Sequence, residues 1–168
     1  MTSNYNLFWQ GVAISFLKNK GKKFENSIFI KEQKLYNKTD MFEVRVTADF
    51  SAAHFLKDYN GKCENLHGHN YKVYAHVRGT ELDKGGMLLD FTKLKKTLRE
   101  VCGEIDHTNL NDIEFFDQNP SAERIAVYIY NHIIEEIPLL KKTDGKKAWL
   151  YAIDVFETET SRARYIAE

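Results

Sequence analysis

The chain has 168 residues, a formal net charge of zero and 43% hydrophobic residues, which are typical of one globular domain. The balanced charge provides no overall field to attract nucleic acid or an acidic membrane, so neither partner is expected. No apolar run reaches the length that a bilayer requires, and the apolar stretch 7–17 lacks the basic start and the cleavage site of a signal peptide.

The first forty residues differ from the rest of the chain. They are rich in Lys and Asn and show little periodicity, so we interpret 1–40 as a poorly ordered extension and 41–168 as the folded domain. Two alternatives stay open. The extension adds a helix and a strand to the fold, or Met41 is the biological start.

A regular pattern begins after Met41. Apolar and polar residues alternate over Phe42–Phe50, which predicts a half-buried strand of an antiparallel sheet. A loop that carries His54 and Cys63 is expected next, followed by a second strand over His67–Arg78. In that strand the two histidines share one face with four apolar residues: Tyr71, Val73, Ala75 and Val77.

Two helices and two further strands are predicted in the second half. Asp90 is the expected N-cap of a helix through about Glu104, and Cys102 belongs to its apolar stripe, so this cysteine is interpreted as core packing. A second helix is predicted to open at Pro120, with Asn119 or Ser121 near its cap, and to stop before Pro138. Strands are predicted over 148–157 and 162–167. The order indicates an α+β fold with helices on one face of an antiparallel sheet.

Three of the six histidines, His54, His67 and His69, fall within sixteen residues. Neutral imidazoles are common zinc ligands, and three of them leave the fourth coordination position of the ion open for a reacting group. On a strand, His67 and His69 leave the same face about 6.5–7 Å apart, and His54 can reach the same ion from the neighbouring strand end. The pattern predicts a site for Zn²⁺, although imidazole also suits iron and nickel. The alternative is three unrelated histidines. His76 and His132 are interpreted as structural.

Cys63 lies four residues before His67. A nearby metal ion favours the thiolate, which can then be a fourth ligand, a nucleophile or a general base. One cysteine with three histidines closes a structural site, whereas an unbound cysteine beside three histidines leaves a catalytic one. The residues alone do not decide between these. Two cysteines without a signal peptide argue against disulfides, so reduced thiols in the cytoplasm are expected.

Four other residues have both a chemical and a structural interpretation. Asp106 and His107 are adjacent in a loop, where the carboxylate can orient the imidazole and raise its basicity, or the two form a solvated pair at a helix end. Glu157 at a strand end can accept two hydrogen bonds from the N–C–N edge of a pterin or guanine, or is a surface carboxylate. Glu123 is a candidate for substrate binding, or a first-turn acid at the helix dipole.

Six ordered blocks from Phe42 to Glu168 resemble those of the 6-pyruvoyl-tetrahydropterin synthase superfamily. The blocks are Phe50-Ser51-Ala52-Ala53-His54, Cys63-Glu64-Asn65-Leu66-His67-Gly68-His69-Asn70-Tyr71, Gly86-Met87-Leu88-Leu89-Asp90-Phe91, Asp106-His107-Thr108-Asn109-Leu110-Asn111, Asn119-Pro120-Ser121-Ala122-Glu123 and Glu157-Thr158. Three residues separate Cys63 from His67, as in the bacterial branch, the 6-carboxy-5,6,7,8-tetrahydropterin synthases of the queuosine and 7-deazapurine pathway. The eukaryotic-type enzymes usually have a longer gap.

The resemblance implies a tunnelling fold, in which a four-stranded antiparallel sheet carries two helices on one face. Trimers would close their sheets into a barrel, and two trimers would stack into a homo-hexamer, which removes exposed strand edges. The substrate would be 7,8-dihydroneopterin triphosphate, and the products 6-carboxy-5,6,7,8-tetrahydropterin, acetaldehyde and triphosphate. The alternatives are a 6-pyruvoyl-tetrahydropterin synthase and a non-catalytic module stabilised by zinc through four protein ligands.

The resemblance also implies roles for single residues. The three clustered histidines would hold Zn²⁺, and Cys63 would abstract a proton from the substrate. Asp106 and His107 would form its partner relay, and Glu157 would anchor the pterin ring and join the relay. The resemblance assigns no residue to the triphosphate, for which the basic candidates are Lys57, Lys62 and Arg162.

Overall fold

The computed structural model describes residues 40–143 and 147–167. Its strands and α-helices follow the order β1 (Phe42–His54), β2 (His67–Gly79), α1 (Phe91–Ile105), α2 (Ala122–Glu136), β3 (Ala148–Thr158) and β4 (Ser161–Ile166). The strands form one antiparallel sheet in the order β1-β2-β3-β4. The predicted α+β class and element order are confirmed. The prediction of a disordered extension over 1–40 lies, apart from Asp40, outside the described residues.

One face of the sheet is buried against both helices. α1 packs on β1, and α2 packs on β3 and β4. The buried core includes the alternating apolar residues of β1 and β2 and the apolar stripes of the helices, with Cys102 only 1% exposed, so the core interpretation of that cysteine is confirmed. Neither of these helices has the length and apolar character needed to cross a bilayer.

β1 is longer than the alternating pattern predicts. Its pairing with β2 continues through Ala52 opposite His69 to His54 opposite His67. The prediction that His54 lies in a loop is therefore wrong. Small residues at 51–53 weaken the alternation in the sequence, but the ladder of backbone hydrogen bonds to β2 extends the strand over them. This extension places His54 on a rigid strand end, directly beside His67.

The helix ends are fixed by side-chain caps. Asp90 caps α1 through a 2.8 Å hydrogen bond from the Thr92 amide, as predicted. Ser121, one of the two predicted caps, is the N-cap of α2: its hydroxyl accepts from the Arg124 amide. The helix itself begins at Ala122, two residues after the predicted start at Pro120. Pro120 is consequently outside the helix, and its carbonyl is available to a partner on β1.

The other face of the sheet carries a charged network around Asp154, which is 2% exposed. Arg164 donates to both carboxylate oxygens of Asp154 at 2.6 and 2.7 Å, and His76 bridges Asp154 and Glu43 with two contacts of 2.9 Å. Burial alone would raise the pKa of Asp154, but the hydrogen bonds from Arg164 and His76 hold that pKa below its usual range. The structural interpretation of His76 is confirmed.

Replacing Asp154 by asparagine is expected to lower the free energy of unfolding by about 1–3 kcal/mol at neutral pH, because Arg164 and His76 lose a buried, charged acceptor. Since the pKa of Asp154 is lowered on folding, its contribution is complete above the unfolded value of about 4 and is lost as the pH falls below it. Urea unfolding at several pH values should show the difference between wild type and variant shrinking in acid.

A matched control is Glu100→Gln, which removes an exposed carboxylate 3.6 Å from Lys96. Exposed pairs of this kind contribute at most about 1 kcal/mol, so little change is expected. If the difference in unfolding free energy between wild type and the Asp154 variant stayed constant with pH, the result would contradict the stabilising role of the Asp154 carboxylate.

Candidate metal and active site

His54, His67 and His69 lie together at one end of the sheet. The ring centroids are 4.5 Å apart for His54 and His67, 5.1 Å for His54 and His69, and 5.0 Å for His67 and His69. One ring nitrogen from each residue lies within 4.8 Å of the other two. The strand register produces this triangle, because His54 pairs with His67 and His69 follows two residues later on the same face. Three imidazoles so arranged could hold a metal ion.

Backbone carbonyls orient two of these rings. His54 Nδ1 lies 2.9 Å from the Pro120 carbonyl oxygen, and His67 Nδ1 lies 2.8 Å from that of Asn65. A carbonyl oxygen only accepts, so each Nδ1 carries the proton and each Nε2 keeps a free lone pair. A second partner that fixes the tautomer in this way is usual for metal-binding histidines.

His54 Nε2 gives the clearest test of whether a metal fits. This atom is buried and has no hydrogen-bond partner among the described residues, which is costly unless something absent from the chain binds it. Burial lowers the pKa of His54 more than the Pro120 carbonyl and Glu157 raise it, so the neutral imidazole that a metal requires is favoured. The donor set, its convergence and this unpaired atom all fit a metal ion.

Glu157 lies beside the cluster, near the end of β3. Its carboxylate oxygen Oε1 is 4.0 Å from His54 Nε2, and its side chain is 27% exposed. Glu157 also lines a cavity of roughly 620 Å³ together with His69, Lys72, Tyr74 and other residues. The sequence placed this carboxylate at a strand end, and the fold brings it to the histidines.

Cys63 lies in the loop between β1 and β2, within a short 3-10 turn over Lys62–Glu64. It is half-buried and forms no disulfide, and its carbonyl accepts a 2.8 Å hydrogen bond from the Leu56 amide, which ties the turn to the end of β1. The group of converging ligand atoms consists of the three histidines and does not include the Cys63 sulfur.

Asp106 and His107 are in direct contact just after α1. Asp106 Oδ2 lies 2.8 Å from His107 Nδ1, and Asp106 Oδ1 accepts a 2.7 Å hydrogen bond from the Ser51 amide. The Ser51 amide and then His107 lower the pKa of Asp106. His107 has a left-handed backbone, with φ of 57°, and donates its own amide to the Ser51 carbonyl at 2.6 Å. The pair is thus fastened to the outer edge of β1.

A second cavity connects this pair to the histidine cluster. It has a volume of roughly 530 Å³, and its lining includes both His69 and His107. The side chain of His107 is 81% exposed, and His69 is half-buried. A substrate in this space can contact both.

The remaining predicted residues are farther from this arrangement. Glu123 is exposed in the first turn of α2 and lines neither cavity described above. Lys57 donates to Gln118, Lys62 is exposed beside Cys63, and Arg162 lies 3.7 Å from Asp154 on the charged face of the sheet. Their roles in binding substrate stay predictions.

Two buried side chains support the site although the sequence patterns gave them no role there. The Tyr71 ring stacks on Phe50 with centroids 4.7 Å apart and meets the edges of His54 and His69. The side chain of Asn111 bonds the amide and carbonyl of Phe55 at 2.9 Å each, just after His54. The position of Tyr71 on the histidine face was readable from the alternation, whereas Asn111 gives no local signal of its partner.

Comparison with known proteins gives consistent results. A sequence model of the family described as 6-pyruvoyl tetrahydropterin synthase matches residues 43–168. The chain is 38% identical over 130 residues to the 6-carboxy-5,6,7,8-tetrahydropterin synthase of Bacillus subtilis, which covers 74% of the chain and 84% of the relative. It is 36% identical over 135 residues to the 6-pyruvoyl tetrahydrobiopterin synthase of Homo sapiens, which covers 71% and 87%.

A solved structure also matches. The 6-pyruvoyl tetrahydropterin synthase of Caenorhabditis elegans superimposes with a TM-score of 0.63 at 29% identity, over 77% of this chain and 97% of that chain. The predicted resemblance and the sheet-and-helix architecture that it implied are confirmed.

Proposed function

The chain belongs to the 6-pyruvoyl tetrahydropterin synthase family, and from that premise we propose that it is a zinc-dependent lyase of queuosine and 7-deazapurine biosynthesis in the cytoplasm. It would convert 7,8-dihydroneopterin triphosphate to 6-carboxy-5,6,7,8-tetrahydropterin, acetaldehyde and triphosphate. The observation that carries the proposal is the cluster of three converging histidines without a cysteine in it. Three nitrogen ligands leave a coordination position for a reacting group, as in catalytic sites.

His54, His67 and His69 would hold the ion. Zinc is the metal we propose, because neutral imidazoles suit it and because the buried Nε2 of His54 has no other partner among the described residues. When bound, zinc would supply Lewis acidity that makes the side-chain hydroxyls of the substrate easier to deprotonate and stabilises developing negative charge.

Cys63 would act as the general base that removes a proton from the substrate side chain. It is half-buried in a turn whose backbone is hydrogen-bonded to Leu56, shortly after the end of β1, and its sulfur is outside the group of ligand atoms. A thiolate near a cation is favoured over the thiol, which is what a base at neutral pH requires.

Asp106 and His107 would move protons on the other side of the substrate. The 2.8 Å contact between them fixes the His107 ring, with its Nδ1 proton directed at the carboxylate and its Nε2 free to exchange a proton. Glu157 would anchor the pterin, since a carboxylate accepts two parallel hydrogen bonds from an N–C–N edge. It lines the larger cavity beside His69. Glu123 is a further candidate for this binding.

The test is to load the purified full-length protein with Zn²⁺ and incubate it with 7,8-dihydroneopterin triphosphate. We expect acetaldehyde and 6-carboxy-5,6,7,8-tetrahydropterin in equal amounts. Trapping of the aldehyde and chromatography of the pterin measure the two products. The protein treated with a chelator and measured in parallel should be inactive. Turnover that persists without metal would contradict the proposal.

The second candidate is a 6-pyruvoyl-tetrahydropterin synthase, favoured by the similar identity to the human relative of that name. The same incubation distinguishes the two. Release of triphosphate with a 6-pyruvoyl product and without acetaldehyde would identify the second activity. A non-catalytic zinc module would give neither product.

We also propose that the chain forms a homo-hexamer of two trimers. In the sheet order β1-β2-β3-β4, the outer edges of β1 and β4 have no neighbouring strand among the described residues. Strand edges are commonly covered by pairing with another chain. The part of β1 before Ser51, whose outer edge is not covered by the loop after α1, and the 6-residue β4 would pair between subunits and close a barrel.

A further inference from the structure

Asn70 lines both cavities of the site. It is an exposed residue of β2, and it borders the cavity of roughly 530 Å³ with His107 as well as the cavity of roughly 620 Å³ with Glu157. Its neighbours Gly68 and His69 are the other two residues common to both linings. A ligand that extends from Glu157 to His107 would therefore pass Asn70.

The side chain of Asn70 is held by Ser51. The two residues are opposite each other in the register of β1 and β2, and Ser51 Oγ donates a 2.8 Å hydrogen bond to Asn70 Oδ1. An asparagine side chain also has an NH₂ group with two donor hydrogens. In the part of the chain that the structure describes, this group has no acceptor. Because the oxygen is bound, the amide is oriented while both of its donors stay available to a ligand.

Ser51 also connects Asn70 to the Asp106–His107 pair. The Ser51 amide donates to Asp106 Oδ1 at 2.7 Å, and the Ser51 carbonyl accepts from the His107 amide at 2.6 Å. The hydroxyl of Ser51 is then left for Asn70. One residue of β1 therefore fixes two groups relative to each other, and groups that act on one bound substrate require such fixed positions.

The chemistry of a side-chain amide indicates what it would bind. An NH₂ group donates hydrogen bonds to oxygen but carries no charge, so it suits the oxygen of a hydroxyl group. In the proposed reaction the pterin ring lies at Glu157 and protons move at His107. The hydroxyl-bearing side chain of the substrate would then lie between these two residues, beside Asn70.

We propose that Asn70 is a substrate-binding residue whose side-chain amide donates to a hydroxyl oxygen of the substrate side chain, and that Ser51 is the positioning residue that orients this amide. The proposal rests on the proposed function and adds a contact that recognises the side chain of the substrate separately from its ring. It requires no further ligand at the three histidines.

The experiment measures the affinity of the zinc-loaded, full-length protein for two ligands by calorimetry. 7,8-Dihydroneopterin carries the hydroxylated side chain, whereas 6-methyl-7,8-dihydropterin has the same ring without those hydroxyls. Asn70→Ala and Asn70→Asp remove the donors. Ser51→Ala removes the hydroxyl and keeps both backbone contacts, and Ser51→Thr restores a hydroxyl. Asn131→Ala is the matched control, because Asn131 is an exposed asparagine of α2 that lines neither cavity.

We expect both Asn70 variants to bind 7,8-dihydroneopterin roughly 3- to 10-fold more weakly than the wild type, the usual effect of one neutral hydrogen bond. They should bind 6-methyl-7,8-dihydropterin as the wild type does. Ser51→Ala should weaken binding of the first ligand alone, by a smaller factor, and Ser51→Thr should restore it. Asn131→Ala should bind both ligands normally. Metal analysis and thermal unfolding check that each variant is loaded and folded.

Wild-type affinity for 7,8-dihydroneopterin in both Asn70 variants would overturn the inference while leaving the proposed function intact. Equal weakening for both ligands would also overturn it, because the contact would then be with the ring. Wild-type affinity in Ser51→Ala would remove the positioning role of Ser51. If the wild type bound neither ligand, the proposed function would fail together with the inference.

Discussion

Replacing Cys63 by alanine is expected to reduce turnover by roughly 10²–10⁴-fold, the usual contribution of a general base, while the metal content per subunit stays at the wild-type level. The expectation follows from the sulfur being outside the group of three converging histidine nitrogens. Acetaldehyde release and metal analysis on the same preparation measure both quantities. Because Cys63 is in a loop turn and only half-buried, the substitution should not prevent folding.

Cys102→Ala is the matched control for loss of a thiol. Cys102 is buried in the stripe of α1 that packs on the sheet, and burial raises the pKa of its thiol to about 12, so the thiol stays protonated at neutral pH and cannot accept a proton. Its substitution should cost stability but leave turnover and metal content unchanged. Loss of metal from the Cys63 variant would instead indicate a closed site with cysteine as a ligand, and unchanged turnover would remove Cys63 from the chemistry.

The Asp106–His107 pair, the proposed relay, has a fixed position without being buried. The Ser51 amide and His107 lower the pKa of Asp106, so its carboxylate is ionised near neutral pH and keeps the His107 Nδ1 proton directed toward itself. Because of the two contacts with the Ser51 backbone, the position of the pair depends on the position of β1. The same strand carries His54, so one element positions both a proposed metal ligand and the proposed relay.

The local patterns in the sequence predicted much of this fold. The alternation in β1 and β2, the Asp90 cap and the placement of Cys102 in the core each depend on neighbours within a few residues. His67 and His69 share a face for the same reason, because a strand has a period of two. Such features could be read from the sequence because the interactions that produce them are short in range.

The parts that were missed depend on contacts between distant segments. His54 belongs to β1 because it pairs with His67, and its ring is oriented by the carbonyl of Pro120, 66 residues away. The proximity of Glu157 to His54 likewise requires β3 to lie beside β2. No local pattern encodes these distances.

Replacing His54 by alanine is expected to weaken Zn²⁺ binding by more than the roughly 100-fold that follows loss of a group that only orients a ligand, and to remove turnover with it. His54 is the most buried of the three histidines, at 1% exposure, and its buried Nε2 has no hydrogen-bond partner among the described residues. Chelator competition and the acetaldehyde assay measure the two losses.

Alanine also removes the donor to the Pro120 carbonyl, so a second variant must separate metal binding from folding. In His54→Asn the side-chain amide can replace Nδ1 as the donor to Pro120, but it has no atom at the position of Nε2. This variant should unfold at nearly the wild-type temperature without metal and still fail to bind Zn²⁺. His132→Ala, which removes a half-buried histidine of α2 about 4.0 Å from Glu104, should bind metal normally. If the His54→Asn protein bound Zn²⁺ with wild-type affinity, the ion would be held elsewhere, because this variant lacks the Nε2 atom that the proposed site requires.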